Sequence, residues 1–314
     1  MYIIGAGLAG LIAGIMNGGA KILEAGRELP HNHHGVLRFR SSNISNITGI
    51  PFKKVKVRKA LWYLGIEYMT APPRLANMYS QKVVGKIQER SILNLEPVER
   101  WIAPTSLHEQ LGEMLKERIE FNNKVEVITQ DEIWLECGFH KWDRTGMPII
   151  STMPMTALAR TIGQPISLET MENLKPIYVW EYTIPGANVH QTIYYPDLDT
   201  GIYRASLSGD RLIIESVREE MTGFELTEIY LSFGLSSIPK LINQPKTELG
   251  KFSPIDDWGR KNFMLEASTK LNIWSLGRYA CWRPTVLLDD VYFDILKIRA
   301  MIGQHSYNTK IAAL

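Results

Sequence analysis

The sequence is short of cysteine. Its 314 residues carry two, Cys137 and Cys281, too few for a disulfide framework, and they read as reduced thiols of an intracellular protein. It also lacks an excess of either charge. Lysine and arginine number 35 against 33 acids, a formal net charge of +2, so bulk electrostatics point to no nucleic acid and only a local patch could. No uninterrupted apolar stretch approaches the ~20 residues of a membrane span. There is no internal repeat and no low-complexity tract, and with 45% hydrophobic and 22% charged residues fibrous and wholly disordered chains are excluded. No Ser-His-Asp order and no second glycine-rich phosphate loop are evident, and Cys137 has no CxxC partner. The hard chemistry therefore falls to a cofactor that the protein binds, orients and tunes.

What is present is globular. A chain of this length buries roughly 75% of the surface its unfolded form exposes, enough for one large domain or two modest ones without staples. The apolar start, Met1 to Ile15, lacks the basic leader of a secretion signal. The chain reads as cytoplasmic, with nothing preceding the nucleotide fold that begins at its first strand.

Residues 1–26 read MYIIGAGLAGLIAGIMNGGAKILEAG. A strand, Tyr2 to Ile4, runs into Gly5-Ala6-Gly7-Leu8-Ala9-Gly10, and a small-residue helix follows to about Met16. A turn at Asn17 to Gly19 leads to a second strand, Ala20 to Leu23, ending in Glu24. Strand, glycines, helix, second strand and acid stand at the spacing of a dinucleotide-binding βαβ unit. Gly5 permits the tight turn, Gly7 lets the backbone approach a pyrophosphate, and Gly10 lets helix pack on strand. The helix N-terminus offers unpaired N–H groups to the phosphates. Glu24, 19 positions after Gly5, stands where a carboxylate accepts ribose hydroxyls. An acid rather than an arginine there argues for FAD or NAD over NADP.

Further segments choose between those two. Ala25-Gly26-Arg27 is followed by the loop HNHHG and a strand, Val36 to Phe39. A helix opening at Ser106, where Ser106 and Glu109 have the spacing of a capping box, leads into a strand read over Ile119 to Ile128. Pro148 to Pro154 reads as a buried strand ending in a proline-broken turn. Leu271 to Trp282 gives a strand, Gly277 and an aromatic loop, before Leu287 to Asp290 caps a terminal helix from about Val291 to Gly303.

This series resembles the superfamily of FAD-dependent amine oxidases and UDP-galactopyranose mutases over roughly residues 1–40, 100–160 and 265–314. The resemblance implies FAD, with Gly5, Gly7, Ala9, Gly10, Glu24, Ala25, Arg27 and Arg38 around it. It matches Val125 to an adenine contact and the turn holding Thr152 to the strand leaving the nucleotide domain. It turns Gly277, Arg278, Asp290 and Val291 towards the flavin. One departure stands out: where the family has Gly-Gly-Arg after the ribose acid, this chain has His33-His34-Gly35-Val36-Leu37-Arg38.

The remaining chain alternates short strands with turns. Ile177 to Ile184, Gln191 to Tyr195, Ile202 to Leu207 and Arg211 to Val217 read as an antiparallel meander with turns at Pro185-Gly186 and Ser208 to Asp210. A helix follows at about Glu225 to Phe233. Residues 45–100 read as polar turns with helical stretches. The fold class is α/β: a Rossmann-type FAD-binding domain with a parallel sheet (1–45, 100–165 and 265–314) and an antiparallel-sheet substrate domain (46–99 and 166–264).

Four groups are candidates for chemistry. His31, His33 and His34 form H-x-H-H, but no cysteine or carboxylate triplet completes a metal site; His34 and Arg38 instead suit a flavin-facing loop that stabilises negative charge, and solvated loop histidines give the same pattern. Lys53, Lys54, Lys56, Arg58 and Lys59, flanked by Trp62 and Tyr63, would grip phosphates beside a stacking aromatic; a solvated face with the alternating Val55 and Val57 pointing inward is the simpler reading. Tyr178, Trp180, Tyr182, Tyr194, Tyr195 and Tyr203 would wall an amine or base pocket or fill the sheet core. Tyr203, with Arg204, is the candidate substrate contact. Cys281 lies near the flavin motif, where a packed thiol is the simpler reading than covalent attachment.

The resulting expectation is a FAD-dependent oxidoreductase, with an amine or amino-acid-type C–H delivering hydride to flavin N5. The alternatives are a mutase or lyase working through an N5 adduct, and a non-catalytic FAD-binding protein. The minimal length and abrupt start look like a compact, bacteriophage-encoded member of the superfamily. That reading expects an amino-acid-modified thymine in DNA as substrate, gripped by residues 53–59.

Overall fold

The computed structural model describes all residues except 31–34, 88–90, 137–140, 165–173, 236–238, 253–254 and 313–314. The chain opens with strand β1 (Tyr2–Ile4), helix α1 (Leu8–Met16) and strand β2 (Lys21–Leu23). It continues through β3 (Arg38–Phe39), α2 (Asn43–Thr48), β4 (Lys53–Tyr63), β5 (Ile66–Tyr68), α3 (Pro73–Val84) and β6 (Val98–Ile102). Then come α4 (Leu107–Leu115), β7 (Ile119–Glu120), β8 (Val125–Ile128), β9 (Glu132–Leu135), β10 (Lys141–Asp143), β11 (Ile149–Ser151) and α5 (Met155–Thr161). The meander is β12 (Leu174–Thr183), β13 (Val189–Tyr194), β14 (Ile202–Gly209) and β15 (Arg211–Ser216), followed by α6 (Gly223–Phe233) and β16 (Lys240–Phe252). Helix α7 (Asp257–Leu271), strand β17 (Ile273–Ser275) and helix α8 (Leu288–Ala312) end it.

Five strands make a wholly parallel sheet in the order β17-β11-β1-β2-β7. Its strands read as continuous apolar runs because helices cover both faces. Leu11 and Ile12 of α1 are fully buried with Leu107 and Leu111 of α4 and Val291 and Ile295 of α8. On the other face, Tyr2 and Ile4 join Met155, Leu158, Phe263 and Trp282. Burying each such side chain contributes about 1.5–3 kcal/mol before entropy. Gly14 allows α1 to lie close: a Cβ there would stand 2.7 Å from Ile22 Cδ1 and 3.1 Å from Leu115 Cδ1.

The second sheet runs β16-β12-β15-β14-β13-β4-β6-β3, with β5 paired to β4. Its meander is antiparallel, but β13 pairs with β4 in parallel. The two turns expected at Gly186 and Gly209 form, at φ +80° and +68°. Trp180, Tyr182 and Tyr195 pack with Ile229 beneath α6, so those aromatics are sheet core. Tyr203 packs on the opposite face with Tyr79 and Val83 of α3.

Four expectations need correction. The strand read over Ile119 to Ile128 is two strands in different sheets: β7 edges the parallel sheet, whereas β8 pairs with β9 and β10. The break is at Asn122, left-handed at φ +59°; the next two N–H groups, of Asn122 and Asn123, go to the carbonyls of Gly26 and Glu24 at 2.9 and 2.8 Å. The Ser106 capping box does not form; its hydroxyl accepts from Gln110 Nε2 at 2.7 Å, and the capping box present is Thr222 with Glu225 on α6. Residues 53–63 form a strand, and α8 extends to Ala312. No helix among the described residues is long and apolar enough to cross a membrane.

Candidate cofactor and active site

Of the candidate cofactor residues, Gly5, Gly7, Ala9, Gly10, Glu24, Thr152 and Gly277 gather where the parallel strands end, the edge at which open α/β sheets bind ligands. Gly5 takes φ +96°, a left-handed backbone open to glycine, and a Cβ there would stand 2.4 Å from Thr152 Oγ1. A Cβ on Gly10 would fall 1.9 Å from the Gly5 carbonyl oxygen, so turn and helix meet through bare backbone. Gly7 is different. A Cβ there meets nothing within 4 Å. This open space lies at the start of α1, whose first-turn N–H groups lack helical acceptors and whose first turn carries no acid. A pyrophosphate fits such a cradle.

Glu24 closes the loop from the side. Its Oε2 accepts the Ala6 N–H at 2.7 Å and its Oε1 accepts the Gly26 N–H at 2.8 Å. His108 of α4 holds the other end of Ala6, with Nε2 3.1 Å from the Ala6 carbonyl oxygen, which makes Nε2 the protonated nitrogen. Each Glu24 oxygen keeps a lone pair for a ribose hydroxyl. His108 was not singled out from sequence. The available signal was a histidine on the buried stripe of α4, beside Leu107, Leu111 and Leu115. Ala25 and Arg27 are exposed, and Val125 is buried with Leu23.

The C-terminal turn meets the N-terminal loop. Gly277, at φ +92°, would place a Cβ 3.2 Å from Ala9 Cβ, and Thr152 Oγ1 donates to the Ile4 carbonyl at 2.8 Å. Arg278 lies over the rings of Phe252 and Tyr279, at 5.1 and 5.8 Å. Asp290 Oδ2 accepts the Leu287 N–H at 2.8 Å, capping α8 as its spacing implied, and Oδ1 pairs with Arg40. Its buried neighbour Asp289 accepts the Arg40 and Ser41 N–H groups at 2.8 and 3.2 Å and so ties α8 to the segment that follows β3. Sequence reading passed over Asp289 for Asp290, because the two share one motif. Val291 lies in the core. Burial pushes the Cys281 thiol up to about 12, and its Sγ–H donates to the Ser275 carbonyl at 3.3 Å, which is a packed thiol.

Arg38 reaches across the second sheet. From β3 it donates through Nη1 to Thr192 Oγ1 and through Nη2 to the Leu207 carbonyl at 2.9 Å. Burial, then the neighbouring Arg204 and Arg100, push its guanidinium down to about 10, with Tyr194 acting the other way. Strand alternation explains the cluster. His190, Thr192 and Tyr194 share one face of β13, and their partners Ser208, Ser206 and Arg204 share it on β14. Arg38 pairs with Ile102 of β6, two residues from Arg100, so Arg100 stands on that face too. Same-face neighbours on a strand are about 7 Å apart, and two such guanidiniums repel by roughly 2 kcal/mol at an effective dielectric of ~20.

Glu215 is claimed by Arg204 and Tyr203. Arg204 binds it through Nε and, at 2.6 Å, Nη2, while the Tyr203 hydroxyl donates to it at 3.0 Å. Consecutive strand residues ordinarily point to opposite faces. A register shift between Ile202 and Arg204 brings both to one carboxylate. Tyr203 has 0% exposure, so it presents no open surface as the substrate contact read from the sequence would. His31, His33 and His34 lie outside the described residues, as does Cys137, and no cluster of metal-ligating side chains occurs among those described.

The basic stretch is divided by the strand it forms. Lys54, Lys56 and Arg58 lie on one face and Lys53, Val55, Val57 and Lys59 on the other. Lys54 pairs with Glu99 at 3.0 Å, Arg58 with Glu67 at 2.8 Å, and Lys59 donates to the Asn94 carbonyl at 2.6 Å.

No protein-family model matches the chain, and no curated protein matches it. Solved structures do. Reduced UDP-galactopyranose mutase superposes with a TM-score of 0.66 at 14% identity, covering 96% of this chain and 95% of the other. A fatty acid isomerase from P. acnes gives 0.60 at 14%, over 95% and 97%. PqsL, a probable FAD-dependent monooxygenase from Pseudomonas aeruginosa, gives 0.56 at 12%, over 98% and 90%, and a variant of putrescine oxidase 0.53 at 10%, over 96% and 98%. At these identities the likeness defines the fold, that of the Rossmann-type flavoproteins.

Proposed function

We propose that this chain is an FAD-dependent oxidoreductase acting on the C–H bond beside an amine nitrogen, in an amine or amino-acid-type substrate. The observation that carries the reading is the open space over Gly7, framed by the crowded Gly5 and Gly10 and by Glu24. When bound, FAD supplies two-electron acceptor chemistry. The protein's own part is placement. Gly7 and the first turn of α1 hold the pyrophosphate, Glu24 the ribose, and Gly277 brings the C-terminal turn against Ala9 at the same edge. Asp289 and Asp290 fix Arg40, and with it the segment that follows β3; Arg38 of β3 holds its positive charge over the second sheet.

A non-redox rearrangement is the second reading, favoured by the higher TM-scores of the mutase and isomerase, 0.66 and 0.60, over the oxidase, 0.53. Anaerobic addition of amines and amino acids to the FAD-loaded protein tests the choice. Bleaching of the flavin absorption by an amine supports the oxidoreductase. Failure of every amine to bleach it, with FAD retained, moves the assignment to the rearrangement.

A further inference from the structure

The sheet face on which Arg38, Arg100 and Arg204 converge carries more positive charge than the fold needs. A structural ion pair gives each guanidinium a carboxylate. Here Arg38 donates to the Thr192 hydroxyl and the Leu207 carbonyl, neither of them a carboxylate, with the like charges of Arg204 and Arg100 nearby. Glu215 neutralises Arg204 and is also held by Tyr203. Arg100 donates through Nη1 to the carbonyl of Glu99, beside it in the chain, at 2.8 Å. Among the described residues, these three guanidiniums have one paired carboxylate between them, that of Glu215, and all three are half-buried, where charge is screened less than on an open surface.

The face is also built to bind. Arg38 is fixed at two nitrogens, while its buried Nε has no hydrogen-bond partner, and the buried Nε2 of His190 on the same face has none either. The hydroxyls of Thr192 and Ser206 lie 3.0 Å apart between Arg38 and Arg204. Guanidinium forks match carboxylate and phosphate oxygens in pairs, and hydroxyls complete such shells. We infer that the face formed by Arg38, Arg100, Arg204, Thr192 and Ser206 is a subsite for a small oxyanion, a carboxylate or phosphate group carried by the substrate. It rests on the flavoprotein reading only in assigning that group to the substrate; anion binding itself needs no flavin. The subsite sets specificity. It repels a substrate bearing only cations, such as a simple polyamine, and favours one that joins its reacting carbon to an anion.

Titration calorimetry on the whole protein at low ionic strength tests this, with inorganic phosphate and with benzoate as probes, each with and without FAD. At least one probe binds with one site per chain. Arg100→Gln weakens it by about tenfold or more, Arg38→Lys weakens it comparably, and Lys56→Gln, on the opposite face of β4, leaves it unchanged. Phosphate alone binding identifies a phosphorylated substrate; benzoate alone identifies a carboxylate. Circular dichroism verifies that each variant is folded, and Arg100→Gln carries the test should Arg38→Lys not fold. Binding of neither probe, or equal weakening by Lys56→Gln and Arg100→Gln, overturns the inference. Visible spectra of the same samples report FAD uptake separately, so anion binding without FAD uptake overturns the flavoprotein reading alone.

Discussion

The Glu24 carboxylate accepts the backbone N–H of Ala6 at 2.7 Å, so the acid at the end of the second strand holds the glycine loop. Glu24→Gln keeps the shape but loses the charge-assisted acceptor. It is expected to cost roughly 1–3 kcal/mol of stability and to weaken FAD binding by at least about tenfold, read by denaturant unfolding and by FAD titration. His108→Ala, which frees the Ala6 carbonyl, is expected to act in the same direction on both.

Two glycines separate fold from cofactor. Gly10→Ala drives a methyl to 1.9 Å from the Gly5 carbonyl oxygen and is expected to unfold the N-terminal unit. Gly7→Ala meets no protein atom within 4 Å, and its φ of −67° suits alanine, so its melting temperature without FAD stays within a few degrees of wild type. FAD uptake is lost. Equal FAD affinity in Gly7→Ala would show that no phosphate lies over that residue.

Cys281 is buried with its thiol pushed up to about 12 by burial. At pH 8 almost no thiolate exists there, and the thiolate is the reactive form. Alkylation with iodoacetamide followed by peptide mass spectrometry is expected to leave Cys281 unmodified in the folded protein and to modify it in denaturant. FAD released by denaturation without proteolysis carries no cysteinyl link.

Lys82 joins α3 to the meander. Its ammonium faces the carbonyls of Tyr195, Asp197 and Ile202 at 3.2, 2.5 and 2.5 Å and Thr200 Oγ1 at 3.0 Å. Lys82→Met keeps the aliphatic stem and removes every donor. Stability is expected to fall by roughly 1–3 kcal/mol, measured by urea unfolding with an unchanged m-value.

The N-terminal unit was legible because its spacing is dictated by stereochemistry: a turn at Gly5, a helix that must touch it at Gly10, and an acid at the tip of the next strand. The meander was legible because one face of each strand is buried and glycines mark the turns. Strand β4 was masked by its alternating lysines, which read as a charge run until β6 and β13 are seen on either side. The break at Asn122 escaped because the Ile119 to Ile128 segment is continuously strand-like, and only the carbonyls of Gly26 and Glu24, distant in sequence, give the turn its acceptors. Arg38 was read as a loop cation near the flavin. That its two nitrogens reach Thr192 and Leu207 depends on long-range pairing that spacing along the chain does not encode. The same holds for Tyr203 and Arg204, whose shared hold on Glu215 arises from a register shift.

The central claim is that the cradle over Gly7 holds FAD. It is tested most directly by reconstituting the purified protein with FAD, removing free cofactor, and recording the visible spectrum beside that of Gly7→Ala. The account predicts a yellow wild-type protein with about one FAD per chain and a folded, colourless Gly7→Ala. A wild-type protein that stays colourless, or a Gly7→Ala that is equally yellow, would contradict it.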